Sequence, residues 1–158
     1  MPRIVIAVLF SLLAASPSLA DMAQRPGWVV IPTGLGYQQL SERVIAAAGE
    51  VKLGVVAQAS ASAGARKALG KDIPGNTVIG LYHPRFAVPM LEASTAAGIE
   101  APIRVYVTEN GDGTATLSYK TPSHVFAPYF DEGGDQLKAL AGELDGLFAT
   151  LAAKATAN

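Results

Sequence analysis

Apolar positions along this chain repeat about every 3.6 residues in some stretches and every second residue in others, and the switches mark its elements. Trp28 to Ile31 is a short apolar run closed by Pro32, which predicts a strand. The loop "PTGLG" then leads into a helix over Tyr37 to Ala48, where Tyr37, Leu40, Val44 and Ala48 share one face and Gly49 is the stop. Val51 to Gln58 alternates, with Val51, Leu53, Val55 and Ala57 on one side, as a second strand would. Ser60 to Leu69 is alanine-rich and helical, capped by Ser60 or Ser62 and ended by Gly70. Thr77 to Tyr82 is the third strand.

Two prolines constrain the segment after His83. A proline inside a helix costs about 3 kcal/mol, whereas one in the first turn costs little. A helix beginning near Arg85 or Phe86 keeps Pro89 in that first turn, and Gly98 stops it after Ala97. Ile103 to Thr108 and Thr114 to Lys120 alternate most cleanly. "ENGDG" between them holds both Asn-Gly and Asp-Gly, so the pair is an antiparallel hairpin. The stretch "TPSHVFAPYFDEGG" reads as irregular. A last helix, Asp135 to Ala153, carries Leu137, Leu140, Leu144, Leu147 and Leu151 as a narrow seam for the core or for a second helix. The order β-α-β-α-β-α-β-β-α predicts an α+β fold, a two-layer sandwich whose mixed or antiparallel sheet has helices on one face.

The start of the chain stands apart. Arg3 gives a positive charge, Ile4 to Ala15 are apolar, and Ser18-Leu19-Ala20 follows the break at Ser16-Pro17. That is the three-part pattern of a signal peptide, residues 1–20, cleaved after Ala20. The apolar run is too short for a bilayer, which needs about 20 residues. The expectation is a periplasmic or secreted protein whose single domain is residues 21–158, with no membrane association after cleavage.

Charge and cysteine content narrow the chemistry. Without Arg3, eleven basic residues face thirteen acidic ones, a net charge of −2 with no basic run, so nucleic acid is not an expected partner. With no cysteine there are no disulfides, thiol catalysis, iron–sulfur clusters or covalent c-type haem.

The segment "APIRVYVTENGDGTATLSYKTPSHVFAPY" resembles the family of domain of unknown function 302, DUF302. Its members carry a strand, a short Gly/Asn-Pro turn, a helix, an "LP-hydrophobic-VYE" strand, a DG hairpin and "Y-x-x-P". The matching residues here are Thr77–Tyr82, His83-Pro84, Met90–Ala97, Ala101–Glu109, Asp112-Gly113 and Tyr119–Pro122. The resemblance covers about Val51 to Tyr129. It implies a small α+β domain, commonly dimeric, with no assigned reaction. The family's asparagine before the proline is His83 here, so a role for His83 is not inherited.

His83 is the candidate of most interest. It follows a strand, with Tyr82 and Phe86 beside it and Met90 one turn on. A helix N-terminus nearby favours the uncharged imidazole that binds metal. One histidine without cysteine or neighbouring carboxylates does not describe a zinc site. It suits haem iron, which takes one or two axial ligands in an apolar pocket. The expectation is a non-enzymatic module binding haem b through His83, with Tyr82, Phe86 and Met90 lining the pocket and Arg85 near a propionate. Two copies of His83 could meet in a homodimer, and the role would be electron transfer, carriage or sensing with a periplasmic redox or protein partner. His124, among Phe126, Tyr129 and Phe130, is the second metal candidate. The alternative is a non-catalytic dimer that binds a protein partner or small apolar ligand, with His83 structural.

Other motifs carry less. "TGLG" has glutamine where a dinucleotide fingerprint needs its third glycine. "NGDG" lacks the later glutamate of a calcium loop. Ser123 beside His124 has no third catalytic member, and Asp131-Glu132 have no identifiable partner.

Overall fold

The computed structural model of the protein describes residues 22–157, and the leader expected at residues 1–20 lies outside them. Five strands form one antiparallel sheet in the order β1-β5-β4-β3-β2. They are β1 (Trp28–Gly36), β2 (Gly54–Ala59), β3 (Asn76–Tyr82), β4 (Ile103–Glu109) and β5 (Thr114–Lys120). The helices are α1 (Tyr37–Glu50), α2 (Ala61–Leu69), α3 (Pro84–Ala93), α4 (Pro122–Phe126) and α5 (Phe130–Thr156). The α+β class, the element order and the β4–β5 hairpin are as the sequence predicts. Among the described residues no helix is long and apolar enough to cross a membrane.

The core lies between the sheet and the α1–α5 layer. Ile79, Val105, Val107, Ala115 and Leu117 are fully buried from the sheet side. Leu40 and Val44 of α1, and Leu137, Ala141 and Leu151 of α5, are fully buried opposite them. The α5 leucines therefore serve the core: Leu137, Leu144 and Leu151 are buried, and Leu140 and Leu147 pack against them part-exposed. Helix α2 has no buried residue, and holds its ends by a Ser60 side-chain cap and a left-handed Gly70.

Local departures have local causes. Strand β1 continues past Pro32 because it is an edge strand, where a missing N–H is cheapest; its pairing shifts register between Pro32 and Gly36. "TGLG" thus ends a strand and is no phosphate loop. Lys52 turns with φ 59°, so β2 starts at Gly54 rather than Val51. A bulge beside Val56 then breaks the expected alternation: Val55 pairs with Leu81, Ala57 with Gly80, and Val56 is left exposed. Helix α3 begins one residue earlier than expected, at Pro84, so Pro89 sits inside it. It ends at Ala93, and Ala96–Glu100 form a separate 3-10 turn whose Ala97 N–H bonds to Ser94 Oγ at 3.2 Å.

The segment expected to be irregular holds α4 and the first turn of α5. Thr121 Oγ1 accepts from His124 N at 3.3 Å, and Pro122 occupies the first turn, so the short helix starts on a side-chain cap plus proline. Gly134, with φ 57°, breaks the run within α5. The long regular stretch accordingly starts next to the predicted Asp135.

Candidate functional site

His83 ends β3 and starts α3. Its backbone is extended, and its Nδ1 accepts the Arg85 N–H at 3.0 Å. The carbonyl of His83 takes the N–H of Phe86 at 3.0 Å and of Ala87 at 3.2 Å. Side chain and main chain together therefore satisfy the open first turn of α3. His83 does here what asparagine before the proline would do, through a ring nitrogen instead of an amide oxygen.

Two spaces meet at this residue. One is an apolar crevice of about 30 Å³ that runs inward from Tyr82 and His83 between Leu53, Leu81, Phe86 and Met90, with Phe126 and Phe148 deeper. The other is an open groove of about 350 Å³ bounded by Glu50, Lys52, His83, Arg85, Phe86 and Leu147. The expected residues Tyr82, His83, Phe86 and Met90 come together on the crevice, and Arg85 joins His83 and Phe86 on the groove. Met90 is buried, so it forms wall rather than a free ligand. Arg85 pairs with Glu143 of α5, and its guanidinium lies 5.1 Å from the Phe86 ring centre. The His83 and Phe86 rings stand edge-to-face, 6.4 Å apart.

The cap bears on what His83 can ligate. A ring nitrogen that accepts from a backbone N–H carries a lone pair, so the neutral ring bears its proton on Nε2. A metal at Nε2 needs the proton moved to Nδ1, which would break the bond to Arg85 N. Losing a helix cap costs about 0.5–2 kcal/mol.

His124 lines neither space. It is exposed on α4 and packs over Gly27, where a Cβ would lie 2.1 Å from its ring atoms. Among the described residues no three His, Asp or Glu side chains converge as a metal site. Ser123 is placed by Asp145 of α5, whose carboxylate accepts from Ser123 N at 2.9 Å and from the Ser123 hydroxyl. This is a tie from one helix to the start of another, and His124 takes no part in it. The same carboxylate lies near Tyr119, whose phenol is pushed above its usual range by burial first and by Asp145 second. Tyr129 is likewise raised, chiefly by its 2.9 Å hydrogen bond to Glu100.

The inner residues Leu53, Phe126, Leu140, Leu144 and Phe148 are invisible as site residues from sequence. Their apolar character announces core, and only the folded packing leaves a crevice among them.

The model of the family described as "Domain of unknown function DUF302" matches residues 29–153. The chain belongs to the DUF302 family. A search of curated proteins found no match. A similar solved structure is the "uncharacterized conserved protein DUF302 from Bacillus stearothermophilus", 18% identical, covering 82% of this chain and 99% of that one with a TM-score of 0.70. At that identity the likeness shows the fold alone. The DUF302 chain shares with it an architecture, and the chemistry has to be read from its own side chains.

Proposed function

We propose that this DUF302 protein is a non-catalytic binding module that takes a small apolar or amphipathic ligand at the Tyr82–His83 mouth. The observation that carries the reading is the junction of the two spaces at His83 and Phe86. A short alkyl end fits the inner crevice, which holds little more than a water-sized group. The rest of the ligand lies in the groove, whose volume is in the range of about 300–1,000 Å³ typical of small-molecule sites. Lys52, Glu50 and the Arg85–Glu143 pair give that groove a charged rim.

Haem b bound through His83 is the second reading, because His83 stands at the edge of the larger space. In it the Nδ1 cap to Arg85 gives way, and Arg85 leaves Glu143 for a propionate. Export rests on the Arg3, Ile4–Ala15, Ser18–Ala20 pattern. Homodimer formation draws support from Val88, Leu91 and Ile99, which are 55%, 46% and 80% exposed on and beside α3.

Titration of the mature protein with 1-octanol and separately with hemin tests this, followed by amide and methyl NMR and by absorption. We expect saturable octanol shifts at Leu53, Leu81 and Ala87, and no Soret band of protein stoichiometry. A Soret band that disappears in His83→Ala would give the site to haem. Absence of both responses would remove ligand binding from this end of the molecule.

A further inference from the structure

The face of the sheet turned away from α1 and α5 carries a hollow of its own. Trp28, Val78, Tyr106, Arg104, Lys120 and Ser118 bound a hollow of about 320 Å³ there, within the size range of small-molecule pockets. It shares no residue with the groove at His83.

The side chains of this hollow call for a particular ligand. Tyr106 pairs with Ser118 across β4 and β5, and Val78 pairs with Tyr106 across β3 and β4, so these three lie on one face. Two residues along each strand, Arg104 and Lys120 fall on the same face as neighbours. Like charges placed side by side across a sheet repel. Neither is in a salt bridge among the described residues. Lys120 Nζ lies 5.7 Å from the Trp28 ring centre, and Arg25 contributes a third cation at 5.5 Å. Glu100 also borders the hollow, its carboxylate accepting from the Tyr129 hydroxyl at 2.9 Å, so one acidic residue stands against the two basic ones. Beneath the hollow, the fully buried Ser118 Oγ has no hydrogen-bond partner among the described residues. An aromatic wall, an apolar floor and two cations outside any salt bridge among the described residues meet in one place, over a buried hydroxyl.

We propose that this hollow binds a planar aromatic carboxylate. Its ring lies over Val78 and Tyr106 against Trp28, and its carboxylate sits between Arg104 and Lys120. The anion relieves the repulsion between the two cations, and the ring covers the apolar centre of an otherwise open sheet. Neither half of the ligand suffices: a neutral ring leaves the cations unmatched, and a non-planar anion leaves the aromatic wall wet.

The test uses 2-naphthoate, its neutral analogue 2-naphthamide, and cyclohexanecarboxylate, each titrated into the mature protein. Trp28 is the single tryptophan, so its indole N–H resonance reports the hollow without ambiguity. We expect 2-naphthoate to shift that resonance saturably, and the other two probes to bind at least about tenfold more weakly. Arg104→Gln and Lys120→Gln should each weaken 2-naphthoate by about fivefold or more and erase its advantage over the amide, with the circular dichroism unchanged. Equal binding of 2-naphthamide overturns the proposal, as does no saturable shift up to about 10 mM. A Trp28 resonance that moves with protein concentration alone also overturns it, by assigning the hollow to a second copy of the chain. Octanol shifts at Leu53 and Ala87 are read from separate resonances, so either site can fail alone.

Discussion

The two faces of the sheet are made from the same five strands and differ in almost every physical respect. Toward α1 and α5, β4 and β5 present Val105, Val107, Ala115 and Leu117, all fully buried among apolar partners. On the other side the same strands present Arg104, Tyr106, Thr108, Thr116, Ser118 and Lys120. Ser118 is just as buried as Leu117, between its cross-strand neighbours Val30 and Tyr106. Thr108 Oγ1 and Ser118 Oγ lack partners there among the described residues. One face stores the stability; the other keeps unsatisfied polar groups and, among the described residues, cations outside any salt bridge, which is where an occupant would gain most.

The largest expected break in that contrast is on the helix side. Phe148 is 1% exposed and packs on Tyr119 with ring centres 5.5 Å apart, so Phe148→Ala should cost about 3–5 kcal/mol in urea unfolding. Tyr106→Ala, on the open face, should cost clearly less in the same assay.

Asp145→Ala comes next. It removes the acceptor of Ser123 N and of the Ser123 hydroxyl, and a hydrogen bond to a charged group is worth about 1.5–3 kcal/mol. Part-exposure of Asp145 puts the expected loss at the lower end of that range. Asp145→Asn should recover part of it, and full recovery would show that the charge itself is not used.

Alkaline titration sharpens the same face. The Tyr119 phenol is raised from 10.0 by burial, so the folded state favours its protonated form. Its contribution is intact below about pH 10 and is lost as pH rises from the unfolded value through the folded one. Tyr119→Phe should flatten that alkaline fall in melting temperature.

The smallest effect belongs to the open face. Ser118→Ala deletes a hydroxyl with no partner, so stability should change by less than about 0.5 kcal/mol or rise slightly. A loss above about 1 kcal/mol would mean that the hydroxyl is satisfied in solution, and would reduce the difference between the faces.

Much of the fold is legible in the sequence alone. The β4–β5 hairpin comes from strict alternation around Asn110-Gly111-Asp112-Gly113, and Asp112 Oδ1 closes it by accepting from Thr114 N at 2.9 Å. The hydrogen bond from the Thr114 hydroxyl first, and the Thr114 N–H second, hold the Asp112 carboxyl below its usual range. Pattern alone misplaces helix α3, because it puts Pro89 in a first turn that the His83 cap and Pro84 already define. Helix α4 escapes notice because "TPSHVF" is too short for periodicity to register, and its start depends on a Thr121 hydroxyl cap.

Of the candidate site, sequence alone picks out Tyr82, His83, Arg85, Phe86 and Met90 as neighbours, since strand-to-helix spacing keeps them close. Which ring nitrogen of His83 is free, and that Arg85 is drawn to Glu143 some 58 residues away, cannot be read from local pattern. The hollow at Trp28 is equally hidden, for it needs β1, β3, β4 and β5 side by side. Sequence by itself determined the five strands, the long helices, the inward-facing residues of β4, β5 and α5 and the β4–β5 turn, because period, glycine and proline act on a few adjacent residues. Only the tertiary structure decided which polar groups found partners and which were left over, because pairing across a sheet joins residues far apart in the chain.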